Sequence, residues 1–158
     1  MSRQLEFSFR ALFYDEISEY NEIIKSLIQS TEFDRNTHLH NNLGVAYFEV
    51  GNNEDAQIHF DKSIELDSFN TNALLNRAEL HIKRNQMEKA EIDLNNAFRI
   101  NPNSTSILRT RAYFFKELGR LKKALLDLKE AAKLDPDHQY TLKEIERIEN
   151  TLKRKNGE

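Results

Sequence analysis

Leu43-Gly44-Val45-Ala46-Tyr47, followed by Gly51, Ala56 and Phe60, is the stretch on which the fold turns. Two of its small residues, Gly44 and Ala56, stand twelve apart, with a bulky residue four positions after the second. That spacing suits two helices that cross closely: small side chains let the backbones approach, and one large ring fills the space beside the crossing. The arrangement returns as Ala78, Ala90 and Leu94, and after the same interval again as Ala112, Ala124 and Leu128. Positions further on keep the beat, with Ser63, Ala97 and Ala131, then Leu66, Ile100 and Leu134. Asn101-Pro102 and Asp135-Pro136 close the last two units. Self-similarity at one fixed period is the sequence signature of a repeat architecture.

The offsets of Leu-Gly, Tyr, Ala, Phe, Ala and Pro resemble the tetratricopeptide repeat. Three units fit, 37–70, 71–104 and 105–138. The resemblance implies an all-α fold, a right-handed superhelical solenoid of antiparallel helix pairs. His40 holds the family's usual Trp site in the first unit, and Ser68 its closing Pro. The Tyr site becomes His81 and then Phe115. Arg77 and Arg111 stand where an apolar residue is common, and are expected to lay their stems on the packing surface with their heads in water.

The ends of the chain complete the organisation as one domain, 1–158. Leu5, Phe9, Leu12 and Phe13 share a helical face, and Ile23 and Leu27 precede Ala56 and Phe60 by one unit, at an interval one position short of the regular period. Residues 1–36 therefore read as a divergent N-terminal helix pair, although Leu5, Phe7 and Phe9 also alternate as a short extended start would. The aromatic cluster of Phe7, Phe9, Phe13 and Tyr14 either closes the core or offers a homodimer contact. At the other end, 139–155 carries Leu142, Ile145, Ile148 and Leu152 on one stripe with charges around it, as expected of a capping helix. Lys153 onward is expected to fray. Gly51, Asn85 and Gly119 are expected to end first helices at positive φ, and Asn101-Pro102-Asn103-Ser104 and Asp135-Pro136-Asp137 to stop one unit and start the next, with Asp, Asn, Ser or Thr as caps.

With 31% charged residues, four Gly and two Pro, the composition suits a single helical domain of 158 residues. A net charge of −3 gives no basic excess, so no nucleic acid is expected as a partner. Cysteine is absent from the sequence, which excludes disulfides and thiolate chemistry. No apolar run is long enough for a membrane span, and the first residues lack the pattern of a secretory signal. The expectation is a cytoplasmic protein that engages no membrane.

Function in such a fold lives on surfaces, and the resemblance implies that the first helices of the units line a concave peptide-binding groove. Carried over by position, the groove takes Asn41, Asn42 and Phe48 from the first unit, Asn72, Leu75, Asn76 and Glu79 from the second, and Arg109 and Tyr113 from the third. Amide side chains both donate and accept, so the asparagines can pair with a peptide main chain, while Phe48, Leu75 and Tyr113 serve as apolar anchors. The competing reading is that asparagine here only solvates helix starts. One subclass of the family grips the C-terminal carboxylate of heat-shock chaperones with Lys, Asn, Asn, Lys and Arg. Those sites read Asn41, Val45, Asn76, Ser106 and Thr110, without a cation, and a carboxylate buried unpaired there would cost several kcal/mol.

An enzyme is the weaker class. His38 and His40, two apart on a helix, point to different sides, unlike an i, i+4 zinc pair. No phosphate loop or nucleophile elbow can be assembled. Neither a metal nor a cofactor is expected. The charged stretches Lys122-Lys123 and Lys143 to Arg147 read as solvated helix faces. The expected function is a non-enzymatic adaptor or scaffold that binds a protein segment. The alternatives are a dedicated chaperone or neutralising partner of one client, or a self-associating structural protein.

Overall fold

The computed structural model describes residues 17–29 and 36–156, and all regular structure among them is helical. A helix over 17–28, α1, is followed by α2 (Thr37–Glu49), α3 (Asn53–Leu66), α4 (Thr71–Lys83), α5 (Met87–Ile100), α6 (Thr105–Glu117), α7 (Leu121–Leu134) and α8 (Gln139–Asn156). The sequence period reappears at the helix boundaries, since Thr37, Thr71 and Thr105 open helices and Leu66, Ile100 and Leu134 end them. Two compact units result, Met1–Leu80 and His81–Glu158, with the division inside α4. The cluster of Phe7, Phe9, Phe13 and Tyr14, and the first half of the expected N-terminal pair, lie outside the described residues.

The turns follow from backbone chemistry. Gly51 (φ 81°), Asn85 (φ 57°) and Gly119 (φ 68°) occupy one repeat position and all adopt the left-handed conformation that stops a helix. Side chains cap the starts of α2, α3, α4, α6 and α8, whereas Gln86 before α5 and Arg120 before α7 make no side-chain cap. Asn36 accepts from the amides of His38 and Leu39, Asn52 from Asp55, Asn70 from Ala73, and Ser104 from Ile107. At α8 the capping side chain is His138, whose Nδ1 accepts from the Thr141 amide at 3.2 Å, where the sequence points to Asp or another small polar residue.

In the first unit, α2 and α3 form the antiparallel pair. Phe60 is almost fully buried and lies directly over Gly44, where a Cβ would stand 2.5 Å from Phe60 Cδ1. Ala56, Phe60 and Leu80 form one cluster, and Ile24, Leu43 and Ala46 a second that seats α1. Ile24, rather than Ile23, is the residue α1 buries; Ile23 remains 39% exposed, so the register of this helix is one residue off the expected one. Ser63 replaces the alanines of later units without penalty, because its hydroxyl donates to the Thr37 carbonyl (2.8 Å) and accepts from Asn70 Nδ2 (3.2 Å).

In the second unit, α6 and α7 pair around Ala112, Phe114, Phe115, Ala124, Leu128 and Ala131, all buried. Arg111 departs from expectation. Its head is withdrawn from water, bonded through Nε and Nη2 to both oxygens of Asp127 (2.7 and 2.6 Å), and lies 3.5 Å over the Phe98 ring. Arg77 instead reaches the exposed Asp61 at 2.6 Å. The capping helix also differs in phase. It buries Thr141, Glu144 and Ile148, leaves Leu142 40% exposed, and continues to Asn156 instead of fraying at Lys153.

Candidate functional site

In the first unit the amides of α2 and α4 are joined. Asn76 Nδ2 donates to Asn41 Oδ1 at 2.9 Å, and Asn41 Nδ2 donates to Asn42 Oδ1 at 3.4 Å. Asn41 is buried and so links the chain, while Asn42 is exposed and Asn76 half-buried. This relay has a direction. Asn42 keeps its NH2 as a donor at one end, and Asn76 keeps its carbonyl oxygen as an acceptor at the other. Asn72 and Glu79 are exposed on α4, and Leu75 is half-buried there. Phe48 is half-buried and packs against the Ala56, Phe60 and Leu80 cluster, so part of its ring belongs to the core.

In the second unit Arg109 and Tyr113 line a cleft of about 20 Å³ with Lys116, Tyr140 and Glu144, room for a single water. Tyr113 is 49% exposed. Arg109 already donates to Asp135 (3.1 Å) and Thr105 (3.1 Å), which leaves it less charge to offer a ligand. Beneath the tyrosines, Lys116 Nζ donates to the buried Glu144 at 2.8 Å, and Arg147 donates to the same carboxylate at 2.9 Å. The hydrogen bond from Lys116 holds the Glu144 pKa below its ordinary value, with Arg147 adding to the effect; the same bond raises that of Lys116. The sequence places Glu144 among solvated charges and does not single out Tyr140. One more step of the repeat period finds both, since they stand where Ser106 and Thr110 stand in the unit before.

The histidines form packed pairs. His40 is buried, its Nδ1 stands 3.1 Å from His59 Nδ1, and the rings stack at 5.4 Å; Tyr47 also stacks on His59, at 5.5 Å. One of the facing nitrogens must donate and the other accept, so charging both rings sets two donors against each other. Burial lowers the His59 pKa below 6.5, His40 lowers it further, and Asp55 pulls the other way. A depressed pKa means that the folded state resists protonation. The stability His59 contributes is present above 6.5 and lost as pH falls through the folded value. Thermal stability should therefore decline between neutrality and about pH 5. His59→Gln should flatten that decline; equal declines in both proteins would exclude the pair as its source. Among the described residues no three His, Cys, Asp or Glu side chains gather as a metal would require, and no helix is long and apolar enough to cross a membrane.

The family model "Tetratricopeptide repeat" matches residues 37–70, 71–104 and 110–138. No curated protein matches the sequence. Among solved structures, the first TPR of Spaghetti (RPAP3) bound to HSP90 peptide SRMEEVD is 24% identical, covering 75% of this chain and 94% of that one at a TM-score of 0.69. The first TPR domain of the human RPAP3 protein, solved by NMR, is also 24% identical, over 77% and 95%, with a TM-score of 0.69. The Arabidopsis OM64 TPR domain is 21% identical over 73% and 95%, with a TM-score of 0.66. The three matched segments span more than half of the sequence, with helix pairs at the expected period, and the chain belongs to the tetratricopeptide repeat family.

Proposed function

We propose that the protein is a non-enzymatic interaction module that holds an extended segment of another protein on the first-helix face of its repeats. The observation that carries this reading is the amide relay of Asn42, Asn41 and Asn76. It offers a donor and an acceptor to a peptide main chain, and Leu75 beside it supplies apolar surface. Exposed Glu49 and Glu79 stand on this face with His38 and, one turn after Glu79, the exposed Lys83, so its charges are of both signs. The first solved relative holds an acidic HSP90 peptide. Val45, Ser106 and Thr110 at the clamp positions offer no cation for such a ligand, which supports a different class of peptide here.

The test is a tagged pull-down from source cells, comparing wild type with an Asn42→Ala, Asn76→Ala, Tyr113→Ala variant shown by circular dichroism to remain helical. Wild type should recover one or a few proteins that the variant loses, with affinity down tenfold or more, about 1.4 kcal/mol. Recovery of the same proteins in the same amounts by both would refute this face as the binding surface.

A further inference from the structure

Lys129 on α7 joins Glu149 on α8 at 2.6 Å, and the start of α7 lies against the end of α8, so the two helices run antiparallel. Where those ends meet is a hollow of about 320 Å³, lined by Arg120, Lys122, Lys123 and Lys155. Leu121 and Leu152 are half-buried in it, and no acidic residue forms part of its wall. It has room for a short peptide segment, unlike the single-water cleft beside Tyr113.

The fold explains some of these charges and not others. Lys153, Arg154 and Lys155, in the last turn of α8, suit the negative end of that helix. Lys122 and Lys123 stand at the positive end of α7, whose first turn has neither an acidic residue nor a side-chain cap. Helix α3, by contrast, opens with Asn52 as its cap and Glu54 and Asp55 in its first turn. Glu91 pairs with Arg120 at 2.7 Å and with Lys123 at 3.9 Å, one carboxylate shared by two cations. Lys122 and Lys155 make no ion pair among the described residues. A chain of net charge −3 thus gathers four like charges around two leucines.

We infer that this hollow seats an acidic segment of a partner protein, with an aliphatic side chain on Leu121 and Leu152 and carboxylates facing Lys122 and Lys155. The leucines decide the class of ligand. A polypeptide sets an apolar side chain among carboxylates, which a phosphate backbone does not, and a flat layer of lipid headgroups does not fill a recess. The site shares no residue with the amide relay, so either can fail alone. Charge attraction of this exposed kind speeds encounter and weakens as salt rises.

An amide-resolved NMR titration of the full chain tests this, with the capped pentapeptide Glu-Glu-Leu-Glu-Glu as probe. The amides of 119–124 and 152–155 should shift and saturate, and added salt should weaken binding. Lys122→Glu should weaken it tenfold or more without lowering the melting temperature, because an acid is favoured in the first turn of a helix. Loss of binding in that variant is therefore not loss of fold. Lys155→Gln should also bind more weakly, and so should a probe with Ser in place of Leu. Shifts that never saturate, or that centre on other residues, overturn the proposal, as does Lys122→Glu binding like wild type. Equal binding of the Leu and Ser probes overturns it too, since that marks a surface for any polyanion, nucleic acid and lipid included.

Discussion

Asp127→Ala is expected to cost about 3–5 kcal/mol, a loss typical of breaking a buried ion pair from one side. Side-chain exposure is 9% for Asp127 and 11% for Arg111, and two parallel hydrogen bonds join them. Removing the carboxylate leaves a guanidinium between helices with the Phe98 ring on one side and no counter-charge on the other. The stacking contact, worth about 2 kcal/mol at most in such a setting, does not replace it. Removing both partners is a different matter. Arg111→Leu with Asp127→Leu should return most of the stability, because an apolar pair of similar size avoids the desolvation of both ions. Urea unfolding followed by circular dichroism distinguishes the outcomes, and a single variant as stable as wild type would mean that the pair contributes nothing.

Gly44→Ala is expected to destabilise by about 1–3 kcal/mol, against the usual trend for glycine in a helix. Helix propensity alone would favour alanine by about 1 kcal/mol. The new methyl group would stand 2.5 and 2.6 Å from Phe60 Cδ1 and Cε1, however, and that ring is too buried to swing away. Gly44/Phe60 is replaced by Ala78/Leu94 and Ala112/Leu128 at the same spacing, so volume is exchanged across the crossing in every unit. Gly44→Ala with Phe60→Leu installs the pair of the other repeats and should recover most of the loss, with a coupling of at least about 1 kcal/mol. Additive single effects would contradict the close approach.

That exchange of volume is also why the architecture could be read from the chain. Small residues at helix crossings are set by backbone approach, a local and repeated demand, so Gly44, Ala78 and Ala112 announce it without knowledge of neighbours. The phase of α8 was not legible in the same way. Leu142, Ile145 and Ile148 make an acceptable stripe, but Thr141 and Glu144 turn inward because Lys116, on another helix, neutralises the carboxylate. Arg111 misled for a related reason, since its partner Asp127 lies on the next helix and only the fold brings them together. The candidate face was legible by position alone. That Asn41 is an internal link between Asn42 and Asn76 depends on distances no sequence carries.

The seat of Phe60 on Gly44 has a dynamic consequence. A ring whose edge lies this close to a backbone cannot turn about its own axis unless α2 and α3 first move apart. Its half-rotations are then slower than those of an ordinary buried ring and are gated by the breathing of the helix pair. Phe60 thus acts as an internal clock for how often the first repeat opens.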